Sequence, residues 1–132
     1  MIGIVCIDDC GGMMFNNRRQ SMDSKLREDV YQTVGNGKLW MSNYSKGQFG
    51  DEFENIVVDD DFCNKAQVGD FCFIENPKDL KVRNIEQLIV YKWNRVYPAD
   101  AKFDFDMSGM KLIGTSEFSG TSHERISKEE WK

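Results

Sequence analysis

The stretch Ile2-Gly-Ile-Val-Cys-Ile7, followed directly by Asp8-Asp9, is the part of the sequence that decides the fold class. Its nearly continuous run of apolar side chains is typical of a strand covered on both faces, as in the central sheet of an α/β protein. Similar short apolar runs recur at 38–41, 54–58, 71–74, 88–91 and 110–118. We therefore predict six strands.

The segments between these runs carry helix and loop signals. A helix is predicted from Asp23 or Ser24, either of which can cap it, to about Val34, before Gly35-Asn36-Gly37. Its apolar stripe repeats every fourth residue: Leu26, Val30 and Val34. Further predictions are a loop at 11–17, a short helix or turn at 44–50, a short helix at 93–97, and a helix from 76–77 to 84 or 85. This alternation favours one α/β domain over residues 1–132, with a mainly parallel sheet and helices on both faces.

Composition and charge restrict the class of protein and the compartment that we expect. The 132 residues carry a net charge of −5, no apolar run approaches the length of a membrane span, and the N-terminus lacks the features of a signal peptide. The acidic balance argues against direct nucleic-acid binding. The four cysteines lack the spacing of zinc ligands, so we predict no metal and reduced thiols in a cytoplasmic protein: Cys6, Cys10, Cys63 and Cys72.

Several segments resemble those of dihydrofolate reductases, in the same order and over nearly the whole chain. They are Ile4-Val-Cys-Ile-Asp8, Asn36-Gly-Lys-Leu-Trp-Met41, Asn55-Ile-Val-Val58, Lys111-Leu-Ile-Gly-Thr115, Gly120-Thr-Ser-His123 and Glu129-Glu-Trp131. The resemblance implies a three-layer dihydrofolate reductase-like fold, and a family that reduces a folate-type pterin with hydride from NADPH. Family members continue past the acid-acid-Trp segment with two more strands. We therefore expect this chain to lack that C-terminal hairpin.

The family's buried carboxylate on the first helix has no clear counterpart. Alignment from either side places Leu26 or Arg27 at the acid position. Glu28 or Asp29 reaches it only after a shift, and each residue of shift turns a side chain by about 100° around the helix. If the chain is an enzyme, the resemblance makes Glu28 or Asp29 the acid and Thr115 the threonine beside the pterin.

The cofactor side departs further from the family. Lys92, Trp93 and Asn94 stand where the resemblance places a glycine pair that lets the backbone approach the pyrophosphate. Ser42 and Asn43 stand in the segment where the family has a phosphate-binding Gly-Arg-x-Thr. These residues predict a degenerate cofactor cleft, so no cofactor is expected.

Two main functions follow from these departures. The first is a non-catalytic binding protein, such as a phage or mobile-element accessory factor or inhibitor. Its partner is a protein, basic or nucleic-acid-handling, and a dimer or a strand-edge association is an alternative contact. The predicted contact residues are Tyr44, Asp104, Asp106 and Trp93, where Trp93 either anchors a partner or packs inward and plugs the cleft. The second function is a divergent NADPH-dependent reductase of a pterin or related molecule.

A third hypothesis is a different enzyme that uses the same cleft, with His123 as acid or base. His123 is the only histidine in the chain. For this residue a structural role is the preferred interpretation.

Overall fold

The structure is a computed structural model that describes residues 1–51, 53–81 and 85–132. Its strands are β1 (Ile2–Ile7), β2 (Gly12–Phe15), β3 (Arg18–Arg19), β4 (Leu39–Met41), β5 (Ile56–Val58), β6 (Phe71–Phe73), β7 (Gln87–Lys92), β8 (Ala101–Lys102), β9 (Leu112–Phe118) and β10 (Ile126–Trp131). Its helices are α1 (Ser24–Val34), α2 (Asn43–Lys46), α3 (Phe62–Lys65) and a 3-10 helix at Pro77–Lys81.

Within the described residues, seven strands form a central sheet in the order β5-β4-β6-β1-β7-β10-β9. The first five strands in this order pair in parallel, and β10 runs antiparallel to both of its neighbours, β7 and β9. Strand β1 lies at the centre, where Ile2–Ile7 pair residue by residue with Gln87–Lys92. A second, small sheet has the order β3-β2-β8. The predicted mainly parallel sheet is confirmed.

The two faces of the central sheet bury separate cores, because successive strand residues point to opposite sides. Ile4 and Tyr91 pack on one face against α1, through its predicted apolar stripe. Val5 and Val90 pack on the other face, which is covered by α3, the 3-10 helix and the methionines of β2. Helices therefore lie on both faces, as predicted.

Helix α1 begins and ends where the sequence indicates. The Asp23 carboxylate caps the helix by accepting hydrogen bonds from the backbone N–H groups of Lys25 and Leu26. Gly35 follows the last turn with a φ of 58°, a value that side-chain-bearing residues rarely adopt. The described helices include none with the length and apolar character that a membrane span requires.

Three local predictions differ from the structure. The predicted loop at 11–17 contains the β2–β3 hairpin, whose two-residue turn is formed by Asn16 and Asn17, both at positive φ. The predicted helix at 93–97 is wrong, since Asn94 has a φ of 58° and the segment is irregular. The helix that begins at Pro77 is a 3-10 helix to Lys81, and residue 84, one predicted end, lies outside the described residues.

The prediction that the chain lacks a terminal hairpin is also wrong. Strands β9 and β10 form an antiparallel hairpin at the edge of the central sheet, and Ser127 to Trp131 pair with β7. The sequence predicted β9 from the run at 110–118 but not β10, because residues 127–130 of β10 are all polar. The chain is therefore not a version of the fold truncated at its last two strands.

Candidate functional site

A buried polar cluster joins the start of α1 to the loop before β10. It consists of Ser21, Asp23, Tyr97 and His123, and we call it the Asp23–His123 cluster. The side chains of Asp23 and His123 are 0% and 1% exposed, and the Asp23 Oδ2 atom lies 2.9 Å from His123 Nδ1. The Tyr97 hydroxyl and the Ser21 Oγ atom lie 2.9 and 3.1 Å from His123 Nε2. The cluster thus fixes three separate loops against the helix terminus.

The Asp23 carboxylate is fully occupied by donors from within the chain. Its Oδ1 atom accepts hydrogen bonds from the N–H groups of Lys25, Leu26 and Thr121. Its Oδ2 atom accepts from the N–H of Ser122 and from the imidazole of His123. Burial would raise the pKa of Asp23, but these hydrogen bonds outweigh it and hold the pKa well below its ordinary value. The carboxylate therefore stays ionised and has no accepting position left for a ligand.

His123 is held from both ring nitrogens. Because an ionised carboxylate only accepts, Nδ1 carries the proton toward Asp23, and Nε2 faces the two hydroxyl groups. The ring of Trp93 stacks on the imidazole, with centroids 4.6 Å apart. This enclosure supports the structural interpretation of His123. The sequence offered one signal for the cluster, since Asp23 was a predicted helix cap, but nothing paired it with a residue 100 positions away.

The three catalytic candidates do not come together as an active site. Glu28 is exposed and forms an ion pair with Lys25 on the surface of α1. Asp29 is paired with Lys128 at 3.0 Å and accepts a hydrogen bond from the buried Tyr91 hydroxyl. Thr115 is exposed on β9, opposite Glu129. Asp29 therefore connects α1 to the sheet.

The predicted cofactor residues divide into two places. Ser42 and Asn43 follow β4, whereas Lys92 is the last residue of β7 and Trp93 and Asn94 come after it. Strands β4 and β7 are separated in the sheet by β6 and β1. Lys92 pairs with Glu129 and Asn94 donates to Ser127, both on β10, while Trp93 is 4% exposed. These three residues do not line the cleft beside Ser42. Their assignment to that cleft was wrong, because the sequence does not reveal on which side of β1 each later strand inserts.

Ser42 and Tyr44 do line a cavity of about 330 Å³ at the carboxyl ends of β4, β5 and β6, and we call it the acidic pocket. Its lining residues are Met14, Asn17, Ser42, Tyr44, Ser45, Asp60, Phe62, Phe73, Glu75, Asn76, Lys78 and Asp79. The predicted Asn43 sits beside it, with its backbone N–H and side-chain amide donating to the Asp60 carboxylate. Three carboxylates and a single lysine therefore supply the charges of the lining. In parallel sheets this edge is where ligands bind.

Arg19 of β3 contacts two residues of the acidic pocket, Glu75 and Tyr44. Its guanidinium donates two hydrogen bonds to the Glu75 carboxylate, at 2.8 and 3.1 Å, and lies 4.3 Å from the centre of the Tyr44 ring. Desolvation opposes the charged form of Arg19, but the adjacent Glu75 outweighs it and raises the pKa of the guanidinium. The pairing neutralises Glu75 and leaves two carboxylates, Asp60 and Asp79, against the single ammonium of Lys78.

The predicted partner-binding residues differ in exposure. Tyr44 is 42% exposed, whereas Trp93 is buried, so of its two alternatives the structure favours inward packing over anchoring a partner. Asp104 and Asp106 are exposed, and the neighbouring Phe103 and Phe105 pack against the second core, so the segment has one buried and one solvent-facing side.

The cysteines carry free thiols: Cys6, Cys10, Cys63 and Cys72. Within residues 1–51, 53–81 and 85–132, no group of three or more His, Cys, Asp or Glu side chains is arranged to hold a metal ion. The absence of a bound metal stays a prediction.

The strand order, the central β1 and the terminal antiparallel hairpin define an α/β protein with a dihydrofolate reductase-like fold. The chain is similar to the solved dihydrofolate reductase from Enterococcus faecalis complexed with NADP(H) and RAB-propyl, with a TM-score of 0.69 and 9% sequence identity. The match covers 98% of this chain and 94% of that one. No family model and no curated protein matches the sequence. The resemblance in fold is confirmed, and at this identity it shows the fold alone.

Proposed function

We propose that this protein is a non-catalytic binding protein on a dihydrofolate reductase-like fold, and that it binds a basic protein partner. The saturated carboxylate of Asp23 carries the proposal. It is the fully buried carboxylate at the start of α1, and five donors of the chain itself fill its oxygen atoms. A carboxylate in this state cannot anchor a pterin or release a proton near neutral pH.

The charges of the acidic pocket support the same proposal. Dinucleotide phosphates need N–H donors or cations, as at a glycine-rich turn or beside an arginine. Here Glu75 and Asn76 follow the end of β6 at the edge of the pocket, and the nearby Arg19 is already paired with Glu75. Carboxylates in this position repel phosphate and attract cations, so the pocket suits a basic partner.

Two more specific hypotheses, the accessory-factor role and the strand-edge association, have less support. The accessory-factor or inhibitor interpretation drew on a shortened chain, and the presence of the β9–β10 hairpin removes that support. Association through the β9 edge is disfavoured by a bulge near Trp131 and by the exposed Glu117, which are features that protect sheet edges. We therefore place partner binding at the acidic pocket, and the free thiols are consistent with a reducing compartment such as the cytoplasm.

The test is a calorimetric titration with NADPH, combined with an assay for dihydrofolate-dependent loss of NADPH absorbance. Calorimetry is the better readout because the three tryptophans, Trp40, Trp93 and Trp131, are not among the residues that line the acidic pocket. We expect no saturable heat and no turnover, with the Enterococcus faecalis reductase as positive control. Saturable NADPH binding with turnover would overturn the proposal and establish the divergent reductase instead.

A further inference from the structure

Asp79 is an unpaired carboxylate at the acidic pocket. No hydrogen bond or ion pair among the described residues reaches its side chain, although it is only partly exposed. Burial raises the pKa of this carboxyl group, while the nearby Lys78 opposes the shift and Asp60 adds to it. A partly buried charge without a partner is costly, and a cation that enters the pocket would relieve that cost.

The surroundings of Asp79 fit a cation with a flat, weakly hydrated body. Phe62 and Phe73 are 1% and 2% exposed and contribute apolar surface to the pocket, and the half-exposed Tyr44 contributes an aromatic ring. A guanidinium group stacks on aromatic rings and pairs with a carboxylate through two parallel hydrogen bonds, whereas an ammonium is a compact, strongly hydrated charge. The lining therefore favours arginine over lysine.

The chain already holds one guanidinium in this manner. Arg19 lies over the ring of Tyr44 and makes two hydrogen bonds to Glu75, so these two residues have the geometry that guanidinium recognition requires. Asp79 belongs to the lining of the same pocket and has no such guanidinium from the described part of the chain. A guanidinium from another molecule would meet an unpaired carboxylate there.

We propose that the acidic pocket receives an arginine side chain of the basic protein partner, with Asp79 as the carboxylate that pairs with it. This inference rests on the proposed binding function and names the group that the partner contributes. The acidic side chains Asp60 and Asp79 oppose the binding of phosphate-bearing ligands in the same space.

The test uses N-acetyl-arginine amide as the probe and N-acetyl-citrulline amide as a neutral control of nearly the same shape. Binding is followed by two-dimensional NMR of the intact ¹⁵N-labelled protein. We expect saturable shifts of amide signals around the acidic pocket with arginine and none with citrulline. The affinity for arginine should fall roughly tenfold in Asp79→Asn, because a charge-assisted pair is lost.

Asp9→Asn is the matched control, because Asp9 is an exposed aspartate outside the acidic pocket. It should bind arginine as the unaltered protein does, and the spectrum of each variant reports whether it is folded. Equal shifts with arginine and citrulline, undiminished binding by folded Asp79→Asn, or no arginine binding at all would each overturn this inference. If neither the arginine probe nor NADPH binds, only the arginine inference is overturned. If the protein turns over NADPH, the proposed function itself is overturned.

Discussion

At the scale of single residues, one side chain connects most of the candidate site. Asp23 caps α1, orients His123 and binds two backbone N–H groups of the loop before β10. The sequence predicted the cap alone. It could not predict the other contacts, because a buried carboxylate is recognised by its donors, and here the donors come from both ends of the chain.

The substitution Asp23→Asn is expected to lower the free energy of unfolding by about 2–4 kcal/mol, because an amide group replaces an acceptor that faced buried N–H donors. Urea denaturation followed by circular dichroism measures the change. The exposed Asp9→Asn serves as control and should stay within about 0.5 kcal/mol of the unaltered protein. An equal, small effect of both substitutions would contradict the role assigned to Asp23.

The stability difference between the unaltered protein and Asp23→Asn should also depend on pH. The folded-state pKa of Asp23 is depressed from its ordinary value of 3.8, so its contribution is complete well above that pH. It is lost as the pH falls below that value toward the folded-state pKa. We expect the difference to narrow as the pH falls below about 4. Denaturation series at each pH measure it, and a difference that grows on acidification would show the opposite sign.

At the scale of elements, the loop between β9 and β10 depends on a close backbone approach at Gly120. A Cβ atom there would lie 2.6 Å from Asp23 Oδ2 and 2.9 Å from the carbonyl oxygen of His123. The sequence showed a glycine at this position and its resemblance to a family segment, but the contact that requires it arises only when the hairpin docks on α1.

Gly120→Ala should therefore separate the loop from α1 and lower the free energy of unfolding by about 1–3 kcal/mol. Gly109→Ala is the matched control, since a Cβ atom at Gly109 has no neighbour within 4 Å. Thermal unfolding of the two variants measures the difference. Midpoints that fall by the same amount would mean that the close approach carries no energetic weight.

At the scale of the whole molecule, the C-terminal strand is part of the core sheet. Strand β10 pairs with β7 on one side and β9 on the other, and Ile126 is fully buried. The sequence of this strand is mostly polar, so its hydrophobic pattern did not predict a position inside the sheet. The strand is held there by pairing with its two neighbouring strands.

A chain that ends after residue 125 should lose cooperative unfolding, since β7 loses its antiparallel partner and β9 loses its only paired strand within the described residues. Far-ultraviolet circular dichroism and urea denaturation provide the measurement. Lys132→Ala, which keeps the backbone complete, should unfold cooperatively. A truncated chain that folds as well as the full chain would show that β10 is dispensable.

The sequence by itself determined the α/β class, the buried strand β1, the approximate bounds of helix α1, and the likeness to dihydrofolate reductases. These features depend on local chemistry: apolar runs, a capping aspartate and a glycine stop. The tertiary structure alone decided the strand order, the terminal hairpin, the Asp23–His123 cluster and the separation of Trp93 from the pocket beside Ser42. Each of these depends on which distant segments meet, and the local pattern of side chains does not encode that choice.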